Sequence, residues 1–169
     1  MDDSRTVQLR TASRQGFLDP YGRLQTPVLA VQCKENTTAA FISWDIFLST
    51  YPIDVTYRID KLPAETRRWN VSSNFEGVGL WTGAESIPFI RWLFGHDRLF
   101  VRVTPHGENS VEAVFDITGL QEVAQPLMEA CGWTAKTRPA APPRSAEEEA
   151  REEFKQLLRA IEEMNRQAP

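Results

Sequence analysis

Histidine and cysteine are scarce in this sequence of 169 residues, which contains two of each. Because there is no C-x-x-C pair and the histidines are isolated, the sequence offers no zinc-binding pattern, and we expect no cofactor. No apolar run approaches the roughly 20 residues that a membrane span needs. The 19 basic and 23 acidic residues give a formal net charge of -4, whereas a nucleic-acid binder usually carries a clustered basic face. We therefore expect neither a membrane span nor a nucleic-acid partner.

Recognisable catalytic motifs are also missing. The sequence has no G-x-S-x-G elbow and no H-E-x-x-H motif. His96 follows a predicted helix end and His106 lies in a Pro-His-Gly turn, so both are interpreted as surface residues. A pocket that placed either histidine beside a serine or a carboxylate would instead favour catalysis. From the motifs, we expect a protein that is not an enzyme.

The N-terminus and the two cysteines bear on the cellular compartment. Residues 1–5 have neither the basic start nor the apolar core of a signal peptide, so we expect either a cytosolic protein or a mature, exported one. Cys33 lies on the apolar side of an alternating run, and Cys131 lies on the apolar stripe of a predicted helix. Two inward thiols suggest a disulfide and an oxidising compartment. Two buried free thiols in a cytosolic protein are the alternative.

What the sequence does contain is repeated β-type alternation. The clearest run is 53–59, in which every second residue is apolar. Similar runs predict strands at 6–10, 28–34, 39–47, 67–72, 99–103 and 111–117. Helices are predicted at 85–94 and at 118–131, the second interrupted by Pro126, and the glycine-rich segment 73–83 is left unassigned. These elements indicate an α+β, mostly β fold, in which antiparallel hairpins form a sheet or sandwich packed with two short helices.

Composition divides the chain into three parts. Residues 1–134 form the predicted β-rich domain, residues 135–144 a proline-rich linker, and residues 145–167 an amphipathic helix. The apolar stripe of this helix includes Phe154, Leu157, Leu158 and Ile161. One hypothesis is that the stripe binds a partner protein. The alternatives are that it packs on its own domain or pairs with a second copy of the chain.

A second candidate surface lies within the β-rich domain. Arg58 and Asp60 point away from the apolar side of the strand at 53–59, and Trp69 lies in the next strand. A solvated sheet face or a cross-strand ion pair is the ordinary explanation for such charges. The sharper hypothesis is that Arg58, Asp60 and Trp69 form a partner-binding surface on the outer face of the sheet.

Several segments, taken in order, carry a family resemblance. They are PVLAVQCKENTT at 27–38, VTYRID at 55–60, RLFVRVTP at 98–105, FDITGL at 115–120 and PLMEACGW at 126–133. Together they resemble the VasI/TagO group of type VI secretion system-associated proteins, over roughly residues 2–133. The resemblance implies a bacterial exported protein of the cell envelope whose signal peptide has been removed, and hence a periplasmic location. It brings no catalytic motif and does not cover the extension beyond residue 137.

Two functions are compatible with these features. The first is a non-enzymatic periplasmic accessory protein of the type VI secretion system, which binds a protein of the secretion apparatus or of the cell envelope. The alternative is an enzyme or inhibitor directed at peptidoglycan, for which a catalytic cleft would be the discriminating feature. A self-assembling scaffold held together by the C-terminal helix is a third hypothesis.

Overall fold

The computed structural model describes residues 6–135 of the chain. The predicted helix at 145–167, and all but the first residue of the predicted linker at 135–144, lie outside the described residues. The strands are β1 (Val7–Ala12), β2 (Phe17–Leu18), β3 (Leu24–Gln25), β4 (Val28–Lys34), β5 (Thr37–Ser43), β6 (Ile53–Ile59), β7 (Glu65–Val71), β8 (Gly77–Leu80), β9 (Arg98–Val103) and β10 (Val111–Asp116). The helices are α1 (Gly83–Leu93), α2 (Leu120–Val123) and α3 (Gln125–Ala130).

Eight of the strands form one antiparallel sheet in the order β1-β4-β5-β8-β7-β6-β9-β10, and β2 pairs with β3 in a separate hairpin. The alternation in β6 explains its place in the sheet, since Val55, Tyr57 and Ile59 are buried while Asp54 and Arg58 are exposed. Such a strand has one face on the core and one in solvent. The predicted α+β, mostly β fold built from antiparallel hairpins is confirmed.

The turn between β4 and β5 is tighter than the sequence predicts. A four-residue turn is expected at 35–38, but Thr37 already pairs with Lys34. Only Glu35 and Asn36 remain in the turn, with φ of 50° and 57°, which is the conformation of a type I′ turn. This turn type matches the right-handed twist of the two strands, so it fixes their register.

Strand β8 occupies the middle of the sheet, although the sequence pattern does not identify it. Gly77 and Gly79 occur within its four residues and hide the alternation of side chains. A Cβ atom at Gly79 would lie 2.5 Å from the Cβ of Phe41 on β5, so only glycine fits there without a shift of the neighbouring strand. The glycines that obscured the strand are therefore part of its packing.

One predicted strand ends earlier than expected, and one predicted helix is divided into two. β5 stops at Ser43 because Asp45 adopts a φ of 54°, which strands do not contain. The helix predicted at 118–131 is divided at Ala124 into α2 and α3. Pro126 lies in the first turn of α3, where its missing N–H costs no hydrogen bond, so the predicted interruption is confirmed.

No helix within residues 6–135 has the length and apolar character needed to cross a membrane.

The sheet curls until its two edge strands meet. If it were flat, its spacing of about 4.8 Å between strands would place β1 and β10 roughly 34 Å apart. Instead, the N–H of Arg14 donates to the carbonyl of Val114 in β10 over 2.8 Å, and the Ser13 hydroxyl is hydrogen-bonded to the same residue. Farther along β1 the edges part and flank an open groove of about 370 Å³.

The inner face of the curled sheet holds the hydrophobic core, and α1 packs against it. Phe89, Ile90 and Leu93 are the buried apolar residues of this helix. The Phe89 ring makes edge contacts with Tyr57 on β6 and Trp69 on β7, with ring centres 5.6 and 5.2 Å apart. The helix therefore covers the aromatic part of the core.

The connections between strands lie at two opposite ends of the sheet, as antiparallel pairing requires. We call them the helix end and the loop end. The helix end carries α1, α2, α3 and the connections after β4 and β6. The loop end carries four loops, at 13–27, 44–52, 72–76 and 104–110, and the first of these contains the β2–β3 hairpin. The two ends differ in what they expose to solvent.

Candidate functional site

The helix end is closed by a disulfide between Cys33 in β4 and Cys131 at the end of α3, the pair expected from the sequence. The two Cα atoms are 5.8 Å apart, and the residues are 98 positions apart in the chain. Cys33 is buried in the core, and residues 6–135 contain no free cysteine. The bond ties the sheet to the last helix and makes most of the domain one covalent loop.

The last described residues are fixed over α1 by polar contacts. The indole N–H of Trp133 donates to the Thr38 hydroxyl over 2.9 Å, and the Ser86 hydroxyl donates to the Thr38 carbonyl over 2.7 Å. Arg91 donates two hydrogen bonds to the Thr134 carbonyl, and its guanidinium lies 5.5 Å from the centre of the Trp133 ring. These hydrogen bonds hold the last described residues against the body of the domain.

Arg58 lies on the outer face of the sheet, where its guanidinium is 4.5 Å from the centre of the Phe100 ring on β9. Together with Thr56, Arg102 and Glu112, it lines an open groove of about 330 Å³. Arg102 donates a hydrogen bond to Glu112 over 2.7 Å. Among the described residues Arg58 has no carboxylate partner. The groove therefore offers a free cation beside an aromatic ring.

Trp69 does not lie on this surface, and the prediction that it does is wrong. Its side chain is only 1% exposed, because the alternation of β7 turns it toward the inner face of the sheet. Trp69 packs against the rings of Tyr57 and Phe89, with ring centres 5.8 and 5.2 Å apart. The three residues proposed for the outer face are therefore not brought together.

Asp60 lies in the turn after β6, with a φ of 46°. Its carboxylate is 2.8 Å from Nδ1 of His96 and accepts the backbone N–H groups of Asp97 and Arg98. Burial acts to raise the pKa of Asp60, but the hydrogen bonds from His96 and from the two backbone amides outweigh it and hold the pKa below its ordinary value. Asp60 anchors this turn to the segment between α1 and β9.

This contact bears on the catalytic alternative, since a histidine beside a carboxylate recurs in active sites. In the described part of the chain, no serine or cysteine is hydrogen-bonded to His96, and His96 lines neither groove. His106 lies at the loop end, where its backbone N–H donates to the Leu48 carbonyl. Within residues 6–135, no group of three His, Cys, Asp or Glu side chains is placed to bind a metal ion. We interpret the Asp60–His96 pair as a packing contact.

The loop end carries a feature that the sequence patterns identify only in part. Eight large apolar side chains in residues 6–135 are exposed, and six of them lie in the loops of this end. We call the six the loop-end set: Leu18, Tyr21, Leu24, Phe47, Tyr51 and Phe75. The other two, Leu62 and Val123, lie at the helix end. Single exposed apolar residues are common, but their concentration at one end of a fold is typical of an interaction surface.

Three members of the loop-end set lie on the β2–β3 hairpin. Leu18 and Leu24 are paired across the hairpin and are 68% and 70% exposed. Tyr21, in the turn, is 84% exposed. The base of the hairpin is attached to the core through Phe17, whose ring centre is 6.1 Å from that of Trp44. The hairpin therefore presents its apolar side chains from an anchored base.

The buried carboxylate of Asp19 holds the hairpin together. It accepts hydrogen bonds from the backbone N–H groups of Tyr21 and Arg23, both over 2.9 Å. The side chains of Arg23 and Gln25 also donate to it, over 2.7 and 3.1 Å. Burial acts to raise the pKa of Asp19, but these hydrogen bonds lower it from 3.8 to about 2. A hairpin fixed in this way loses little conformational entropy when a partner covers it.

The lowered pKa of Asp19 predicts how the hairpin responds to acid. Because the folded-state pKa of about 2 lies below the ordinary 3.8, ionised Asp19 contributes stability that is complete above about pH 4 and is lost as the pH falls toward 2. We expect the melting temperature of the wild type to fall more steeply across this window than that of Asp19→Asn, which cannot ionise. Thermal unfolding followed by circular dichroism from pH 2 to pH 7 measures both.

A second carboxylate with a lowered pKa contributes to the pH profiles of both the wild type and the Asp19→Asn variant. Asp116 also has its pKa lowered to about 2, by hydrogen bonds from Arg14 and Thr118, and it is present in both proteins. Only the difference between the two pH profiles therefore reports on Asp19. Parallel profiles would show that the hairpin does not depend on the ionised carboxylate.

Phe47 and Phe75 come from different loops and place their ring centres 6.2 Å apart. Phe75 has a φ of 63°, a left-handed conformation that is rare for a bulky side chain. Its N–H donates to the Ser72 carbonyl over 3.0 Å, and its carbonyl accepts the Leu48 N–H over 2.8 Å. Backbone strain of this kind is concentrated at functional sites.

Part of the loop-end set has a signal in the sequence. The Asp-Pro-Tyr-Gly turn identifies segment 16–26 as a loop, and Leu18, Tyr21 and Leu24 are large apolar residues outside any strand or helix pattern. Phe47 has no such signal, because it extends the alternation of the preceding strand. Segment 73–83, which contains Phe75, has no assigned element against which an apolar residue would stand out.

Comparison with known proteins identifies a family. A family model described as "Type VI secretion system VasI, EvfG, VC_A0118" matches residues 5–133. The match spans all the strands and helices described above and both cysteines. No curated protein and no solved structure matches the chain. The resemblance seen in the sequence segments is confirmed.

Proposed function

Because this chain belongs to the VasI family of type VI secretion proteins, we propose that it is a non-enzymatic periplasmic accessory protein of that system. Its activity is to bind a protein of the secretion apparatus or of the cell envelope. The observation that carries this proposal is the loop-end set, six large apolar side chains exposed at one end of the sheet.

Binding through the loop end is favoured by the chemistry and the rigidity of its side chains. Four of the six residues are aromatic, and tyrosine is among the residues that most often dominate the binding energy of an interface. The hairpin is fixed by Asp19, and Phe75 is held by backbone hydrogen bonds. Fixed side chains of this kind bind at a low entropic cost, which suits an adaptor protein.

The periplasmic location is supported by the disulfide. Disulfides persist in oxidising compartments, of which the bacterial periplasm is one, and are rare in the cytosol. Cys33 is almost completely buried, and its partner ends the helix that packs beside β1 and β4. The disulfide is thus part of the domain core. Two free thiol groups would have to fit into the space that the bonded sulfur atoms occupy.

The non-enzymatic part of the proposal is supported by how the polar side chains are used. Asp60 binds two backbone amides and His96, and Asp19 binds four donors within its own hairpin. These hydrogen bonds give both carboxylates a structural role within the fold. Release of fragments from purified peptidoglycan by the purified protein would contradict this part of the proposal and favour the enzymatic alternative.

The proposal is tested by removing the exposed apolar surface of the hairpin. In the variant Leu18→Ser, Tyr21→Ser and Leu24→Ser, we expect type VI secretion to fall by about tenfold or more, since each lost anchor weakens binding by roughly 1–2 kcal/mol. The measurement is the amount of a type VI substrate in the culture supernatant. The melting temperature should stay close to that of the wild type, because the three side chains are already exposed.

A matched control exists at the opposite end of the molecule. The variant Leu62→Ser and Val123→Ser removes exposed apolar surface from the helix end and should leave secretion unchanged. Equal secretion defects in the two variants, or no defect in either, would contradict binding through the loop end. The stripe of Phe154, Leu157, Leu158 and Ile161 remains a separate proposal for partner binding, tested by a chain that ends at residue 136.

A further inference from the structure

We infer that the loop end binds a protein segment in which apolar residues are flanked by lysine or arginine. This inference rests on the proposed binding function and adds the chemistry of the partner. It is carried by the charges that surround the loop-end set. Among the Asp, Glu, Lys and Arg residues of the four loops at this end, those outside internal ion pairs are all acidic.

The four loops of this end contain two basic and four acidic residues. They are Arg14, Arg23, Asp19, Asp45, Glu76 and Glu108. Both basic residues are neutralised within the fold, since Arg14 forms an ion pair with Asp116 and Arg23 forms one with Asp19. The loops therefore present three carboxylates that have no cationic partner among the described residues.

Two of these carboxylates are close in the chain to members of the loop-end set. Glu76 follows Phe75 directly in the chain, and Asp45 precedes Phe47 by two residues. Asp45 accepts a hydrogen bond from the Ser43 hydroxyl over 2.9 Å, and Glu76 accepts one from the side-chain amide of Asn74 over 2.8 Å. Both carboxylates thus have a neutral neighbour that orients them and leaves their charge uncompensated.

The carboxylates and the aromatic rings of the loop end explain why the residues that flank the partner's apolar segment should be basic. Carboxylates beside an apolar patch attract complementary charge and steer a cationic partner toward it. The rings of Tyr21, Phe47 and Phe75 add a second attraction, because the face of an aromatic ring binds lysine and arginine side chains. An apolar segment flanked by basic residues satisfies both features at once.

Two other occupants are disfavoured by the same charges. A second copy of the chain docking loop end to loop end would bring three uncompensated carboxylates against the same three. A membrane rich in anionic lipids would meet the carboxylates rather than basic residues, and basic residues are what such surfaces attract. Both occupants remain distinguishable outcomes of the experiment below.

The experiment uses the photoreactive amino acid p-benzoylphenylalanine, placed at Tyr21 in the full chain and expressed in the native bacterium during type VI secretion. A second protein carries it at Leu62, at the helix end, as the matched control. Mass spectrometry identifies the segment attached to each position. We expect the photoreactive residue at position 21 to crosslink to a protein segment that contains apolar residues and has a net positive charge. The photoreactive residue at position 62 should not crosslink to that segment.

A charge variant tests the electrostatic part. In Asp45→Asn, Glu76→Gln and Glu108→Gln, asparagine tolerates the left-handed backbone at position 45. The yield of the Tyr21 adduct should fall roughly tenfold, since three exposed carboxylate contacts are removed. An unchanged yield would overturn the inference.

The outcomes separate this inference from the proposed function. A Tyr21 adduct with a neutral or acidic protein segment would overturn the basic partner and leave protein binding intact. A Tyr21 adduct with lipid, or with a second copy of the chain, would overturn both. The absence of any adduct specific to Tyr21 would also overturn both.

Discussion

Replacing Cys33 and Cys131 together with alanine is expected to lower the free energy of unfolding by about 4–5 kcal/mol. The two residues are 98 positions apart, and closing a loop of about 100 residues restricts the unfolded chain by this amount in the chain-entropy account. For a domain whose total stability is on the order of 5–15 kcal/mol, such a loss is a large part of the whole. Urea unfolding followed by tryptophan fluorescence measures the change.

The reduced wild type provides the control for this prediction. Dithiothreitol should lower the stability of the wild type to about that of the double alanine variant and leave the variant unchanged. Because Cys33 is 2% exposed, alanine is preferred to serine, which would bury a hydroxyl group. A variant as stable as the oxidised wild type would show that the bond does not stabilise the domain.

Replacing Trp69 with alanine should lower the free energy of unfolding by about 3–5 kcal/mol, the range for a large aromatic residue removed from a core. The side chain is 1% exposed and packs between Tyr57 and Phe89, so its loss leaves a cavity beneath α1. Arg58→Ala, on the opposite face of the sheet, should change stability by about 1 kcal/mol or less. Chemical denaturation of both variants gives the two numbers under identical conditions.

The two variants also separate the two interpretations of Trp69. If Trp69 were part of a binding surface, its replacement would impair secretion without destabilising the protein. A Trp69→Ala protein with wild-type stability and reduced secretion would therefore contradict the buried position. A strongly destabilised protein agrees with a core residue, as the contacts with the neighbouring rings require.

Local patterns in the sequence predict the regular part of this fold. The strands at 28–34 and 53–59 have the predicted bounds because each alternates without interruption by glycine or proline. The same reasoning fails for β8, since Gly79 is needed for the close approach of β5 and removes the side chain that alternation requires. The meeting of β1 with β10 depends on residues about 100 positions apart, which no local pattern reports.

The candidate site is less predictable than the fold for a physical reason. Sequence reasoning assigns apolar residues to the core. It places Trp69 correctly only if the residues of β7 that face the core are identified correctly. An apolar residue that stays in solvent, such as Phe47 or Phe75, can have the same composition signal as a core residue. Its partial exposure becomes evident only in the folded structure.

The position of the disulfide has a consequence for proteolysis. Three of the four loops at the loop end lie between residues 33 and 131, at 44–52, 72–76 and 104–110. A protease that cuts any one of them opens the chain without releasing a fragment, because both new pieces remain joined through the sulfur bridge. On a denaturing gel, a molecule cut once in one of these loops would therefore have the mass of the intact chain until its disulfide is reduced. In an environment that contains proteases, one cut at the loop end would leave the domain as a single covalent molecule.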